Sequence, residues 1–290
     1  MTHRTLDTPD GQLAAIDTGH GPTVVFVHGT PSSSFTFRHV IASLGREHRS
    51  VAIDHLGFGG SDKPADADYS VRAHQRRFAR AMELLQVEEA VFVLHDFGSS
   101  IAVPWLLAHP DRVRGVVIAN TFLWPASGAI RWILAFYATF LGRWLYRAAN
   151  ISVRALLPWA WGKHTPLTPD VHAAYLAPFA SFDERHATAA LPAELIGPTL
   201  EELAKRASEL GRFPVRAVWG MADPLAGPGE LEKWKAILPD LRVEEVAAAG
   251  HFVADEAPDA IQRAVLSLLQ ETADGLGKHA DRQADDSSAA

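Results

Sequence analysis

The run Val91-Phe92-Val93-Leu94-His95-Asp96-Phe97-Gly98-Ser99-Ser100, followed by the apolar segment 101–108, constrains the chain more than any other stretch. A continuous β-branched and aromatic run predicts a buried strand, the glycine marks a turn, and the residues beyond it read as a helix. Asp96 then stands on the sharp strand-to-helix elbow from which a nucleophile is presented. A serine there needs a base to remove its proton, whereas a carboxylate is already ionised and attacks carbon directly to give an ester. By itself the pattern has a second reading, in which Asp96 only caps the following helix.

The flanking sequence supplies a sheet for this elbow. A short strand over 13–17 lies between Pro9-Asp10-Gly11 and Gly19-His20-Gly21 and predicts a hairpin. Further strands are expected over 23–27, 49–54 and 113–119, with helices over 33–44 and 70–85 between them. Alternating strands and helices imply a mostly parallel sheet covered on both faces. The strand over 23–27 ends in His28-Gly29-Thr30-Pro31, a loop that can aim backbone N–H groups into a cleft, while His28 itself is expected to bond within the loop. The glycine-rich stretch 55–64 lacks both the spacing of a dinucleotide site and the lysine of a phosphate loop.

From 125 to 213 the strands vanish and helical, aromatic, proline-punctuated sequence takes over, which predicts a helical cap inserted between two parts of a core, 1–124 and 214–272. Its apolar run 132–141 is fenced by Arg131 and Arg143 and is too short to span a bilayer, so a buried cap helix is expected, with the cap tryptophans mostly in the core. The sheet resumes over 215–220, delivering Asp223 in the loop behind it, and a strand over 242–246 leads to Gly250-His251-Phe252. Acid and base therefore lie at the carboxyl ends of late strands, in the chain order Asp96, Asp223, His251. The alternative, a turn aspartate and a surface histidine, requires this order to arise beside the elbow by coincidence.

Composition narrows the partners. The net charge of −7, without a Lys/Arg cluster, offers no footprint for nucleic acid or an acidic membrane. The absence of cysteine removes disulfides, thiolate metal sites and cysteine nucleophiles, and no metal or cofactor is expected. The polar start Met1-Thr2-His3-Arg4 is not a signal core, so a cytoplasmic protein is expected, and the polar tail 273–290 is expected to be disordered. Nothing in the sequence fixes the oligomeric state.

These motifs resemble a known family. His28-Gly29-Thr30-Pro31, the stretch 54–64, His95-Asp96-Phe97-Gly98 and Gly250-His251-Phe252 look like the haloalkane dehalogenase and epoxide hydrolase group of α/β-hydrolases, over about 10–270. The segment 167–179 is similar to a cap segment of haloalkane dehalogenases. The resemblance implies an eight-stranded, mostly parallel α/β-hydrolase sheet, a small apolar substrate and water as reactants, and Asp96 as the residue that displaces a leaving group from carbon. It further implies that His251 activates water against the ester and that Asp223 orients His251. One subgroup takes its acid from the loop after the sixth strand; here that stretch, 119–122, has no carboxylate, which points to Asp223 and the first subgroup. Backbone N–H groups of Thr30 and Phe97 would hold the oxyanion. Dehalogenases usually carry a halide-binding tryptophan where Phe97 stands, and spacing back from 167–179 suggests Trp144 as a second halide donor. An epoxide hydrolase with Tyr137, Tyr146 or Tyr175 as proton donor, or a small-molecule receptor with a vestigial triad, are the alternatives.

Overall fold

In the computed structural model, which describes residues 2–271, eight strands form one sheet. They are β1 (His3–Thr8), β2 (Gly11–Thr18), β3 (Thr23–Val27), β4 (Arg49–Ile53), β5 (Ala90–Asp96), β6 (Val113–Thr121), β7 (Val215–Gly220) and β8 (Arg242–Val246). Their spatial order is β1-β2-β4-β3-β5-β6-β7-β8. β2 runs antiparallel to both β1 and β4, and every other pairing is parallel. The mostly parallel α/β architecture read from the alternation of segments is therefore present. The tail expected to be disordered lies outside the described residues.

β5 sits inside the sheet with all seven residues buried. Its side chains alternate between the two hydrophobic layers: Phe92 and Leu94 enter one with Val25, Val27 and Ile118, while Val91 and Val93 enter the other with Val24, Phe26 and Val117. That two-sided burial is why the strand reads as a continuous apolar run with no polar alternation. β8, at the edge, carries Arg242, Glu244 and Glu245 and is only partly buried, so charge blunts the open edge.

The helices follow the order expected. After a 3-10 turn, Ser34–Phe37, comes α1 (Arg38–Leu44). α2 (Val71–Leu84) starts where the Ser70 hydroxyl accepts from the Ala73 N–H, and it buries Val71, Phe78 and Met82. α3 (Gly98–Ala108) leaves the elbow directly, one turn earlier than the sequence suggested, and packs Trp105 edge-on against Phe78. α10 (Pro228–Ile237) separates β7 from β8, and the short α11 (Val253–Glu256) precedes a last helix over 258–271.

Between β6 and β7 only helices occur: α4 (Ile130–Ala138), α5 (Phe140–Ala149), α6 (Leu157–Ala160), α7 (Pro169–Leu176), α8 (His186–Glu194) and α9 (Pro198–Arg206). Here the structure corrects one expectation. The apolar run in α4 is not a buried cap helix, because only Leu134 of that helix is buried while Trp132 is 82% exposed. Trp144 and Trp159 are exposed as well, so three of the five tryptophans in 124–161 stand outside the core. Hydropathy reports preference for burial; it does not supply a second layer to be buried against, and α4 and α5 have such a layer on one side only.

Candidate active site

The elbow is built by backbone geometry. Asp96 has φ 52°, a left-handed conformation that strains a side-chain-bearing residue and throws its carboxylate out of the strand–helix corner. Gly29 makes room for it, since a Cβ there would run into the Asp96 carboxylate, and Gly98 lets α3 approach β3, since a Cβ there would run into the Val27 carbonyl. The carboxylate is fixed from the β3 loop, where the Thr30 N–H donates to Asp96 Oδ1 at 2.7 Å. Phe97 takes the N-cap position of α3, and its buried ring meets Phe122 edge-on at 5.2 Å.

β7 and β8 deliver the other two groups to the same sheet edge. His251 Nδ1 lies 2.8 Å from Asp223 Oδ2, and His251 Nε2 lies 3.2 Å from Asp96 Oδ2. The second contact is not aligned as a hydrogen bond, which leaves Nε2 without a bonded partner among the described residues. All three side chains are buried. Burial alone would lower the His251 pKa, but the Asp223 charge and hydrogen bond, together with Asp96, outweigh it and push the ring up to about 10. Burial likewise acts to raise the Asp223 carboxyl, yet the His251 charge, its hydrogen bond and backbone N–H donors from Leu225 and Ala226 hold it below the usual range. The structure thus brings Asp96, Asp223, His251, Thr30 and Phe97 to one place.

Three supporting residues were not evident from sequence. Asn120, fully buried at the end of β6, donates through Nδ2 to Asp223 Oδ2 at 2.9 Å and to the Gly220 carbonyl at 3.0 Å, while its Oδ1 accepts from the Gly220 N–H at 2.8 Å. Its φ of 37° marks the same bend that fits Asn better than most residues. His95 bridges from β5 to the base, its Nε2 2.8 Å from the His251 carbonyl. Burial pulls its pKa down to about 4, so at neutral pH the ring is uncharged and Nε2 is the donor. Glu256 accepts the Gly250 N–H at 2.8 Å; desolvation raises its pKa to about 7 in spite of that hydrogen bond. The carboxyl-end position of Asn120 was visible in sequence, but an amide gives no chemical signal of its own. His28 behaves as a loop residue: its Nε2 accepts from the His55 N–H at 3.0 Å and its Nδ1 donates to the Gly29 carbonyl at 2.7 Å.

Trp144 is the member the structure does not bring in. It lies on α5, 50% exposed, beside Phe182 on the rim of a surface groove shared with Tyr69, Arg143 and His186. Spacing from a cap motif does not choose the face of a helix. Nor does another indole replace it. Trp124 bonds Glu230, Trp161 the Thr165 carbonyl, Trp219 the Ala226 carbonyl and Trp234 the Thr121 carbonyl. Trp132 and Trp159 are exposed, and Trp105 packs among Phe78, Phe92 and His109. Of the three candidate tyrosines, Tyr175 is committed to Asp255 Oδ2 at 2.8 Å, and Tyr137 packs edge-on against Tyr146 at 5.1 Å. Tyr146 is buried and accepts the Ser152 hydroxyl at 2.7 Å; burial chiefly, with Asp96 among the nearby charges, raises its pKa to about 12.

The chain is similar to several known proteins. The profile of the alpha/beta hydrolase fold matches residues 22–258. "Haloalkane dehalogenase 2" of Mycobacterium tuberculosis (strain ATCC 25618 / H37Rv) is 31% identical over 268 residues, 91% of this chain and 93% of that protein. A cis-3-alkyl-4-alkyloxetan-2-one decarboxylase of Shewanella oneidensis is 28% identical over 280 residues, covering 92% and 88%. Among solved structures, the putative ancestral haloalkane dehalogenase AncHLD2 superposes with a TM-score of 0.83 at 27% identity, covering 93% of this chain and 99% of the other. By profile, sequence and fold, the chain belongs to the α/β-hydrolase family and, within it, to the haloalkane dehalogenase group.

Proposed function

We propose that this hydrolase cleaves carbon–halogen bonds through a covalent ester on Asp96, with His251 as base, Asp223 as its partner, and Thr30 and Phe97 as backbone oxyanion donors. The observation that carries this reading is the Asp96 carboxylate held between the Thr30 N–H and His251 at a left-handed elbow. With Oδ1 engaged by Thr30, Oδ2 is the oxygen free to attack, and R–X becomes an alkyl ester and X⁻. Alkylation removes the Asp96 charge, one of the influences that keep His251 protonated. The ring then gives up its proton more readily and can take one from water as the water attacks the ester carbon. Collapse of the tetrahedral intermediate, its oxyanion facing the Thr30 and Phe97 N–H groups, returns the alcohol and the carboxylate.

The absence of an indole donor beside Asp96 sets the order of substrates. A charge-assisted bond to a departing halide is worth about 1.5–3 kcal/mol, so a site short of one slows cleavage by roughly ten- to a hundredfold, most for the poorest leaving group, chloride. Iodo- and bromoalkanes should therefore be turned over ahead of chloroalkanes. A second reading, hydrolysis of an epoxide or another strained cyclic C–O bond, is favoured by Tyr146, whose buried phenol keeps its proton and feels the Asp96 charge. The test is a single turnover in water labelled with heavy oxygen, on matched haloalkanes and epoxides. Halide release with the label entering Asp96 supports the proposal. Diol formation without halide from any haloalkane supports the second reading, and label entering only the product rules out the ester.

A further inference from the structure

The cap carries an apolar face that the catalytic reading does not use. α4 and α5 pack on each other and both pack on α8. Between them they expose Trp132 (82%), Ile133, Phe136, Phe140 (88%), Leu141 and Trp144. A contiguous apolar surface of this kind on a soluble fold marks a contact site. Its charge is as unusual as its hydropathy. No acidic residue occurs between Asp111 and Asp170, although the chain as a whole has a net charge of −7. Arg131 and Arg143, on α4 and α5, make no ion pair with any described residue, while Arg147 at the far end is committed to Asp183 at 3.4 Å. Tryptophan, phenylalanine and leucine on one side with arginines at the margin is the composition of a helix that lies in the interface of a bilayer.

We propose that the α4–α5 face docks the protein on an anionic phospholipid surface, lying on the membrane without crossing it. No helix among the described residues is long and apolar enough to span a bilayer. Two other occupants fit less well. A second copy using the same patch would bring Arg131 and Arg143 together with their counterparts, while the two acids in the groove beside Arg143 are already engaged, Asp68 by the Ser70 N–H and Arg76 and Glu194 by the Val71 N–H, so the like-charge contact opposes association. The chain's own last residues, 272–290, contain one large apolar side chain, Leu276, too little to cover two aromatic helices. The proposal departs from the expectation, drawn from the net charge of −7 and the lack of a Lys/Arg cluster, that no acidic membrane is bound, because the helices of this face carry arginines and no acid of their own.

The full-length protein is tested by sedimentation with vesicles of phosphatidylcholine alone and of phosphatidylcholine mixed with phosphatidylglycerol, at low and high salt. Binding is expected to the anionic vesicles and to weaken in salt. Each arginine near such a surface is worth about fivefold in affinity, so Arg131→Gln with Arg143→Gln should cost roughly thirtyfold and remove the preference for anionic lipid. Trp132→Glu with Phe140→Glu should abolish binding. Both side chains are exposed, so the fold should survive, which near-ultraviolet circular dichroism verifies. Brominated acyl chains should quench wild-type tryptophan fluorescence and quench Trp132→Phe less. Failure to bind anionic vesicles overturns the proposal. So does equal, salt-insensitive binding to both compositions, or a dimer in sedimentation velocity that the two glutamate substitutions dissolve.

Discussion

Replacing Asp223 by Asn tests the roles of the triad most sharply, because the surroundings of that carboxylate are asymmetric. Its Oδ1 accepts from the Leu225 N–H at 2.7 Å, and its Oδ2 accepts from both His251 Nδ1 at 2.8 Å and Asn120 Nδ2 at 2.9 Å. An amide has one acceptor and one donor end. If its oxygen keeps Leu225, its NH₂ faces the Asn120 NH₂ and makes His251 Nδ1 an acceptor, so the ring proton moves to Nε2 and the base is blocked. If it turns over, two donors oppose each other at Leu225, a buried mismatch costing about 1–3 kcal/mol. In either orientation the charge that stabilises the imidazolium is gone. Loss of a charge-assisted bond alone predicts a fall of about tenfold to a hundredfold, and the tautomer trap extends it towards the roughly ten-thousandfold loss known for the equivalent change in a serine protease triad. The first step needs only the Asp96 carboxylate, so alkylation should survive. Rapid quench with intact-protein mass spectrometry on a bromoalkane should therefore show the ester accumulating at a near-normal rate while alcohol release stalls. Combining the change with Asn120→Asp, which returns a carboxylate to the same buried oxygen cluster, should recover part of the second step. Steady-state turnover within about threefold of wild type would refute the assignment, since no positioned catalytic acid is worth so little.

Gly29→Ala should reduce alkylation by at least about a hundredfold while leaving the protein folded, because the new Cβ meets the Asp96 carboxylate and misplaces the attacking atom; stopped-flow halide release reads it. Trp144→Phe should leave halide release unchanged, the indole standing on the surface, and a fall of more than about threefold would put it back at the site. Phe97→Trp should cost about 1–3 kcal/mol in urea unfolding, since the ring it replaces is buried against Phe122, yet raise chloroalkane turnover relative to iodoalkane turnover if the indole reaches the halide. Glu256, raised from 4.5 to about 7 chiefly by burial, takes up a proton more readily folded than unfolded. Its contribution to stability is therefore full below about pH 4.5 and lost as pH rises through 7, and Glu256→Gln should flatten that slope in unfolding measured across pH 4.5 to 7.

How much of this was readable beforehand depends on whether a residue's role was local. Asp96 lies at the end of a strand apolar enough to be buried on both faces, and Asp223 and His251 follow strands with turn residues around them, so position along the chain already placed them at one edge of the sheet. The starts of α2 and α3 were within a turn of the expectation for the same reason. Asn120 escaped because its function exists only once β6 and β7 are side by side. The exposure of Trp144 and of the run in α4 was not legible for the opposite reason. Both were assigned by hydropathy or spacing, and neither quantity records which way a helix faces when the layer beneath it ends.

The clearance around Asp96 has a consequence for how such a protein diversifies. The space is bounded by Gly29, which admits no side chain, and the elbow beneath it is held against β3 by Gly98, which admits none either. Drift therefore has few ways to adjust the attacking group gradually: a substitution there either fits or abolishes the reaction. The helices between β6 and β7 meet the same limit only locally, at Gly142 against the Phe136 carbonyl and at Gly162 against the backbone of Gly250. The attacking group is therefore inherited as a block with the backbone around it, and change in this part of the molecule is expected away from the elbow.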